Sequence, residues 1–168
     1  SSMVDFEVAD VLRGRSGGTL PGVAPANAYP TSDGSEVLIA GNADTVFARL
    51  CDAMNRPDLA IDERYATHVA RGEHERDLDA LVGEWTATMD SDELLAVLRE
   101  HTVPAGRVYT AADMLRDDHY AARGMVQRHA ARTGIDTPML GVVPKFSRTP
   151  GSITDVGPTL GEHTDHYR

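Results

Sequence analysis

The stretch that decides the fold is ANAYPTSDGSEVLIA, residues 26–40. It consists of one apolar segment, a polar turn that contains Asp33 and Gly34, and a second, aliphatic segment. An Asp-Gly pair between two apolar segments is typical of a β-hairpin, because both residues tolerate the backbone angles that a tight turn requires. We therefore predict paired strands over residues 26–30 and 36–40.

Three amphipathic helices are predicted downstream of the hairpin, from apolar residues that recur at helical spacing. Asn42 is a candidate N-cap for the first helix, and Arg56-Pro57 ends it, because proline removes a backbone donor and disfavours helix in the residue before it. Asp90 or Ser91 is expected to cap the third helix. The apolar positions are Val46, Phe47, Leu50, Cys51 and Met54; Leu78, Leu81, Val82 and Trp85; and Leu94, Leu95, Val97 and Leu98.

Shorter elements follow the third helix. A strand is predicted over Arg107-Val108-Tyr109, a helix over residues 111–115 with Thr110 as its cap, and a strand over the alternating residues 125–130. We expect extended, loop-like chain from Thr133-Gly134 onward. The predicted fold is α+β, with a small, mostly antiparallel sheet, several helices, and extended N- and C-terminal arms.

Composition along the chain suggests three parts: an arm with a glycine-rich loop over residues 1–24, a small α+β domain over 25–140, and a C-terminal return segment over 141–168. The return segment is punctuated by proline and glycine, as in Val142–Ser147 and Gly157–Asp165, and contains few apolar residues. Such a segment cannot bury a core of its own and needs another surface to lie on. The pattern therefore indicates that these residues belong to a larger protein.

Overall composition restricts the function classes. The chain has 168 residues, 41% hydrophobic and 25% charged, which are ordinary values for a soluble globular protein. Its formal net charge of −10 disfavours nucleic acid as a partner, because an acidic surface repels phosphate. No apolar run reaches bilayer-spanning length and no signal peptide is evident, so no membrane partner is expected. A single cysteine, Cys51, favours a reducing compartment, and we expect the cytoplasm.

Four motifs follow one another along nearly the whole chain beyond residue 15. They are Ser16–Gly22 leading to Ala28-Tyr29-Pro30 and Asp33-Gly34; Arg56–Leu59; Val103–Tyr109 with Ala122–Met125; and Pro144–Ser147 with Leu160–Asp165. Their order and spacing resemble the class III CoA-transferases, a family that includes the formyl-CoA and carnitine CoA-transferases and the methylacyl-CoA racemases.

The resemblance implies a two-domain enzyme, of which this chain is the small α+β domain and the returning C-terminal segment. The family's large Rossmann-like domain, which binds CoA and supplies a catalytic aspartate, has no counterpart here. We therefore assign no catalytic residue, since Asp44, Asp113, Asp117 and Asp118 lie in motifs that resemble the small domain's surface. Coenzyme A is implied as a substrate, with no other cofactor and no metal. The resemblance also implies a homodimer, because the enzymes of this family form interlocked dimers.

The segment Ser16–Thr19 is the one candidate substrate-binding site, with Gly17, Gly18 and Thr19 as its residues. In the enzymes it resembles, a glycine-rich loop at this place closes over the acyl group and shields reactive intermediates from water. Glycine suits this role because its backbone can approach an intermediate closely and change conformation, and the loop's N–H groups can stabilise an oxyanion. Formyl-CoA-type members carry a longer glycine run and then Gln, where this chain has Thr19 and Leu20, which indicates another acyl group. The alternative interpretation is a flexible interdomain linker.

The resemblance implies a parent enzyme that moves CoA from an acyl-CoA to a carboxylic acid through a covalent aspartyl intermediate. An acyl-CoA racemase of the same superfamily, acting by α-proton abstraction, is one alternative, and a non-catalytic interaction module is another. The chain alone is expected to be inactive. Its arms, residues 1–25 and 141–168, are expected to pack on another copy of the chain.

Overall fold

A computed structural model describes residues 2–12 and 14–167. Ser1, Arg13 and Arg168, which fall in the predicted arms, lie outside the described residues. The described residues form two compact units, one up to Val108 and one from Tyr109 onward. Both units combine α-helices with antiparallel strands, which confirms the predicted α+β class. The domain boundaries after residues 24 and 140 stay predictions.

The first unit begins with helix α1, Ser2–Ala9, in the arm for which the sequence predicted extended chain. The run from Met3 to Ala9 contains neither glycine nor proline, so no residue in it strongly opposes a helix. The helix ends at Asp10, whose φ of 54° lies in the left-handed region and whose N–H donates to the Phe6 carbonyl at 2.9 Å. The arm is therefore helical over these residues.

The sheet of the first unit has the strand order β1-β2-β3, with every pairing antiparallel. The strands are β1, Ala26–Pro30; β2, Glu36–Ala40; and β3, Ala105–Arg107. The first two form the predicted hairpin, in a register that pairs Ala26 with Ala40. The strand predicted over residues 107–109 overlaps β3 only at Arg107, because the ladder with β2 already begins where Ala105 pairs with Ile39.

Helices pack against the sheet face that carries Tyr29, Val37 and Ile39. They are α2, Asp44–Ala53; α3, His68–Glu73; α4, Glu75–Thr86; and α5, Ser91–Glu100, with a short 3₁₀ helix at Pro57–Ala60. The predicted apolar positions supply much of the core, since seven of their side chains are at most 2% exposed: Phe47, Leu50, Cys51, Leu78, Val82, Leu94 and Leu98.

Two helix starts show where local capping signals succeed and fail. Asp90 caps α5 as predicted, accepting a hydrogen bond from the Glu93 N–H at 2.9 Å. The prediction for Asn42 was wrong, because the N-cap of α2 is Ala43 and no side chain caps it. The carbonyl of Asn42 instead accepts a hydrogen bond from Arg71 at 2.8 Å.

Arg71 is a fully buried cation, with 0% of its surface exposed. Its guanidinium donates to four acceptors and lies over the Phe47 ring, 4.7 Å from the ring centroid. The acceptors are the carbonyl oxygens of Ala24, Tyr65 and Asn42 and the carboxylate of Asp44, at 3.2, 2.9, 2.8 and 2.6 Å. One side chain of α3 therefore joins the segment before β1, the start of α2 and the loop before α3.

Asp33 ties the hairpin turn to the start of α5. Its carboxylate accepts hydrogen bonds from the Ser91 hydroxyl at 2.6 Å, the Thr31 hydroxyl at 2.6 Å, the Ser35 N–H at 3.0 Å and the Ser91 N–H at 3.1 Å. These bonds, that of the Ser91 hydroxyl foremost, hold the pKa of Asp33 well below its usual range. Asp33, which marks the turn in the sequence, is thus ionised and also links the hairpin to α5.

The second unit is built on a helix pair and a second hairpin. Its elements are α6, Ala111–Arg116; α7, Asp118–Ala122; β4, Val126–Ala130; and β5, Asp136–Leu140. Thr110 caps α6 as predicted, in a reciprocal capping box with Asp113. The prediction of loop-like chain after Gly134 was wrong for β5, which pairs with β4 along its length. Pro138 within this strand hid the signal, because proline argues against a strand in sequence.

We predict that replacing Arg71 by leucine destabilises the first unit by at least about 3 kcal/mol, because carbonyls gathered around the guanidinium lose their donor. Urea unfolding followed by the fluorescence of Trp85, the single tryptophan, measures this unit. Arg56→Ala is the matched control, since Arg56 forms an exposed ion pair with Asp58. Equal unfolding midpoints for the two variants would contradict the role given to Arg71.

We also predict an acid-sensitive contribution from Asp33. Its folded pKa lies below the unfolded value of about 3.9, so its stabilisation is complete above that pH and is lost as pH falls below it. Asp33→Asn should be less stable than the wild type at pH 7 and should lose less of its stability between about pH 5 and pH 2.5. Urea midpoints across this range test the prediction, which fails if the two proteins lose stability in parallel.

Candidate functional site

A groove of about 420 Å³ runs along the sheet of the first unit. The groove lies on the sheet face that carries Leu38, which is opposite the core. Val37 and Ile39, on either side of Leu38 in the strand, are buried in the core, while Leu38 is 51% exposed. Leu38 pairs with Ala28 on one side and Gly106 on the other, and a methyl group and a hydrogen at these positions leave the surface open. The groove is lined by Gly18, Ala26, Asn27, Leu38, Ile39, Ala40, Pro104, Ala105, Gly106 and Arg107.

The glycine-rich segment forms a turn at this groove. The Thr19 N–H donates to the Ser16 carbonyl at 3.3 Å, and each of these two residues also donates its hydroxyl to the other's carbonyl at 2.8 Å. Gly17 occupies the first central position with a φ of 66°, a conformation that favours glycine. Of the three predicted site residues, Gly18 lines the groove, and Gly17 and Thr19 belong to the same turn.

Asn27 lies beside this turn and is hydrogen-bonded to the helical layer. A side chain on Gly18 would place its Cβ 3.5 Å from the Asn27 Oδ1, which is ordinary contact distance. The Asn27 amide donates to the Asp79 carboxylate on α4 at 3.0 Å, and the Tyr29 hydroxyl donates to the same carboxylate at 2.5 Å. Burial, followed by the Asp79 hydrogen bond, raises the pKa of Tyr29 far above its usual value. Tyr29 therefore acts as a fixed donor beneath the groove.

Two of the carboxylates to which the sequence assigns no catalytic role have structural partners. Asp44 pairs with Arg71, whose hydrogen bond lowers the pKa of Asp44. Asp117 accepts from the Tyr109 hydroxyl at 2.6 Å and caps α7 through the Tyr120 N–H at 2.8 Å, and these bonds lower its pKa. These groups are ionised and engaged, which does not suit a nucleophile poised at a substrate.

Cys51 is buried as predicted. Burial raises the pKa of its thiol to about 12, so the thiolate is scarce at neutral pH. Its position on the inner stripe of α2 makes it a core residue. It supplies no nucleophile to the groove.

Within residues 2–12 and 14–167, no group of three or more His, Cys, Asp or Glu side chains has the geometry to hold a metal ion. Among the helices of the described residues, none is both long and apolar enough to cross a bilayer.

Sequence reasoning missed the groove itself, although it found the turn at its edge. The signal was present in the alternation of β2, where Leu38 must face away from the core if Val37 and Ile39 face into it. The small residues opposite Leu38 depend on register and on the third strand. A single sequence does not specify these.

Comparison with known proteins gives consistent results. Residues 2–164 match the sequence profile of CoA-transferase family III. The chain is 46% identical to succinyl-CoA–D-citramalate CoA-transferase of Chloroflexus aurantiacus, covering 97% of this chain and 40% of that protein. It is 38% identical to the succinyl-CoA–L-malate CoA-transferase beta subunit of the same organism, over 84% of this chain and 35% of that subunit. It is 31% identical to formyl-CoA:oxalate CoA-transferase of Rhodopseudomonas palustris, over 89% of this chain and 35% of that protein.

A solved structure agrees with these sequence matches. The CaiB/BaiF family protein of Brucella suis superposes with a TM-score of 0.78 at 32% identity, covering 99% of this chain and 42% of that one. The chain thus spans roughly two fifths of the length of the relatives it matches. On the strength of the profile match over nearly all of its residues, the chain belongs to CoA-transferase family III.

Proposed function

We propose that this chain forms the small-domain part of an enzyme that moves CoA between an acyl-CoA and a carboxylic acid. The family match across residues 2–164 carries this proposal. The relatives named above are CoA-transferases, which favours transfer over the α-proton chemistry of a racemase. The location we propose is the cytoplasm, and the division into arm, domain and return segment at residues 24 and 140 is part of the same proposal.

The substrates we propose are a small dicarboxylyl-CoA donor and a small hydroxydicarboxylic acid acceptor. Relatives named for succinyl-CoA with citramalate or malate are 46% and 38% identical, against 31% for the formyl-CoA:oxalate relative. Thr19 and Leu20 agree with this choice, because they replace the longer glycine run and Gln of formyl-CoA-type members.

The chemistry proposed for the whole enzyme is covalent exchange at an aspartate outside this chain. A carboxylate oxygen attacks the thioester carbonyl, the C–S bond breaks, and a mixed anhydride and CoA thiolate result. The thiolate then attacks the aspartyl carbonyl and releases the donor acid, and the acceptor acid takes CoA by the same two steps in reverse. Both covalent intermediates are sensitive to water, so their environment has to be kept dry.

The role of this chain in that sequence is the wall and cover of the acyl site. The groove beside Leu38 offers a mainly apolar surface, and the turn of Gly17, Gly18 and Thr19 stands at its edge. Its backbone can close over the acyl group because Gly17 already occupies a conformation open to few other residues. We propose that closure of this turn excludes water from the intermediates.

We predict that a hybrid enzyme, with residues 14–164 in place of the matching segment of the Chloroflexus citramalate enzyme, transfers CoA from succinyl-CoA to D-citramalate. In the hybrid, Gly17→Ala should lower the transfer rate and raise hydrolysis of succinyl-CoA, because a side chain at this φ is strained by about 1–2 kcal/mol. Chromatography of the CoA products separates transfer from hydrolysis. The 168-residue chain alone should catalyse neither reaction.

The control for this experiment is Gly14→Ala, in the same arm, where an added Cβ meets no heavy atom within 4 Å, as at Gly17, but where φ is not in the left-handed region. It should leave both rates unchanged. A hybrid that folds, as judged by circular dichroism, yet transfers no CoA while the unmodified relative does, would overturn the proposed function.

A homodimer is the assembly we propose, and exposed apolar side chains along both arms support it. In α1 and the residues after it, Met3, Val8 and Leu12 are 80%, 80% and 84% exposed. In the C-terminal segment, Phe146 and Tyr167 are 58% and 83% exposed. Apolar side chains that are exposed next to one another mark an interaction site, and we propose that a second copy of the chain covers those of the arms.

We predict that light scattering coupled to gel filtration gives twice the chain mass of 18.1 kDa at micromolar concentration. The double variant Val8→Ser, Leu12→Ser should shift the protein toward monomer. Ile61→Ser is the matched control, since Ile61 is 83% exposed but lies outside both arms. A strict monomer in the wild type, or an equal effect of both variants, would refute assembly through the arms.

A further inference from the structure

A second turn follows the glycine-rich turn immediately in the chain. In it the Val23 N–H donates to the Leu20 carbonyl at 3.0 Å, with Pro21 and Gly22 in the central positions. Gly22 has a φ of 80°, and proline followed by a glycine of positive φ is typical of a type II turn. Proline fixes one of the two central residues, so this turn is stiffer than the Ser16–Thr19 turn before it.

The second turn is held by the junction of α3 and α4. The Gly22 N–H donates to the Glu75 carboxylate at 3.2 Å. Gly72 lies so close to Gly22 that a Cβ on Gly72 would be 2.7 Å from the Gly22 carbonyl oxygen and 3.0 Å from its carbon. Both neighbours there are backbone atoms, so a side chain at residue 72 requires the turn to move.

Arg71 continues this attachment two residues further along, through its 3.2 Å hydrogen bond to the Ala24 carbonyl. Residues 22–24 are therefore fixed to the helical layer from the α3–α4 side. By contrast, the hydrogen bonds that the structure describes for the Ser16–Thr19 turn lie within that turn. The boundary between the turn that is hydrogen-bonded to the helices and the turn that is hydrogen-bonded only within itself falls between Thr19 and Leu20.

We propose that Gly72 and Glu75 are positioning residues for the glycine-rich turn. They make the Leu20–Val23 turn a fixed base, from which the Ser16–Thr19 turn moves over the groove. Gly18 lies four residues before Gly22, so this base keeps it within about 14 Å. The inference rests on the proposed function, because it assigns the closing motion of the acyl cover to a pivot at Thr19–Leu20.

A purely structural role for Glu75 is the competing explanation. Glu75 lies in the first turn of α4, where a negative charge favours the helix by itself. The two explanations differ for Glu75→Gln, which removes the charge but keeps a carbonyl oxygen able to accept from the Gly22 N–H. Under the positioning role glutamine restores what alanine loses, and under the charge role it does not.

The test uses hydrogen exchange of the 168-residue chain, comparing Gly72→Ala, Glu75→Ala and Glu75→Gln with Gly83→Ala. Gly83 is the matched control, since it also lies inside a helix but an added Cβ there meets only a Tyr29 ring carbon at 4.0 Å. Gly72→Ala and Glu75→Ala should speed exchange of the Gly22 and Val23 amides, which are hydrogen-bonded to Glu75 and to the Leu20 carbonyl, roughly tenfold, the ratio expected for one lost hydrogen bond. Glu75→Gln and Gly83→Ala should leave that exchange near the wild-type rate.

The same variants in the hybrid enzyme supply the functional measurement. Gly72→Ala and Glu75→Ala should raise the ratio of succinyl-CoA hydrolysis to transfer and lower kcat, with KM little changed, and Glu75→Gln should restore the wild-type ratio. Unfolding midpoints of the same variants of the 168-residue chain, followed by Trp85 fluorescence, verify that each substitution leaves the first unit folded.

The outcomes are separable. If the Gly22 and Val23 amides exchange equally fast in every folded variant, the proposed fixed base is overturned, whatever the activity. Faster exchange with an unchanged ratio of hydrolysis to transfer would show that the base does not affect closure of the Ser16–Thr19 turn. If the unsubstituted hybrid transfers no CoA, the proposed function fails, and the exchange rates alone then decide whether Gly72 and Glu75 position the turn.

Discussion

A guanidinium buried without contact to water has to find acceptors inside the protein, and Arg71 finds them in segments that are far apart in sequence. Its carbonyl and carboxylate partners lie before β1, at the start of α2 and before α3. Each bond adds a restraint on the position of α3, and α3 in turn fixes the position of Gly72. The charge is therefore more than a contribution to stability, because it determines where the helical layer meets the arm that carries the glycine-rich turn.

This arrangement separates the parts of the first unit that are hydrogen-bonded to the helical layer from a turn whose described hydrogen bonds lie within itself. The hairpin is fixed at its turn by Asp33 and across its first strand by the bonds of Asn27 and Tyr29 to Asp79. The arm is fixed at Gly22 and Ala24. What is left free is a turn of four residues standing beside an apolar groove. The cover proposed for the acyl site needs this combination, since a mobile base would give no defined closed position.

The elements that the sequence predicted well are those specified by neighbouring residues. Asp33-Gly34 marks a hairpin because turn geometry is local, and Thr110 marks a helix start because its partner Asp113 lies three residues away. The failures have a tertiary origin. Asparagine is a preferred N-cap residue, yet the side chain of Asn42 does not cap α2. Its carbonyl instead accepts a hydrogen bond from Arg71, 29 residues away. In β5, Pro138 obscured a strand that pairing with β4 nevertheless stabilises. A burial pattern alone would not place an arginine in the core, because arginine is rarely fully buried.

The candidate site shows the same limit in a sharper form. Resemblance points to Gly17, Gly18 and Thr19 as the site, but the residues that contact the turn after them, Gly72 and Glu75, lie about fifty positions later, on helices. A glycine inside a helix costs about 1 kcal/mol relative to alanine, so Gly72 could have signalled a close backbone approach. Gly83 carries the same signal and has no such approach. Composition therefore identifies both glycines as unusual and cannot rank them. Only the carbonyl of Gly22, placed against α3 by the bonds of Arg71 and Glu75, distinguishes the glycine that the arm requires from the one it does not.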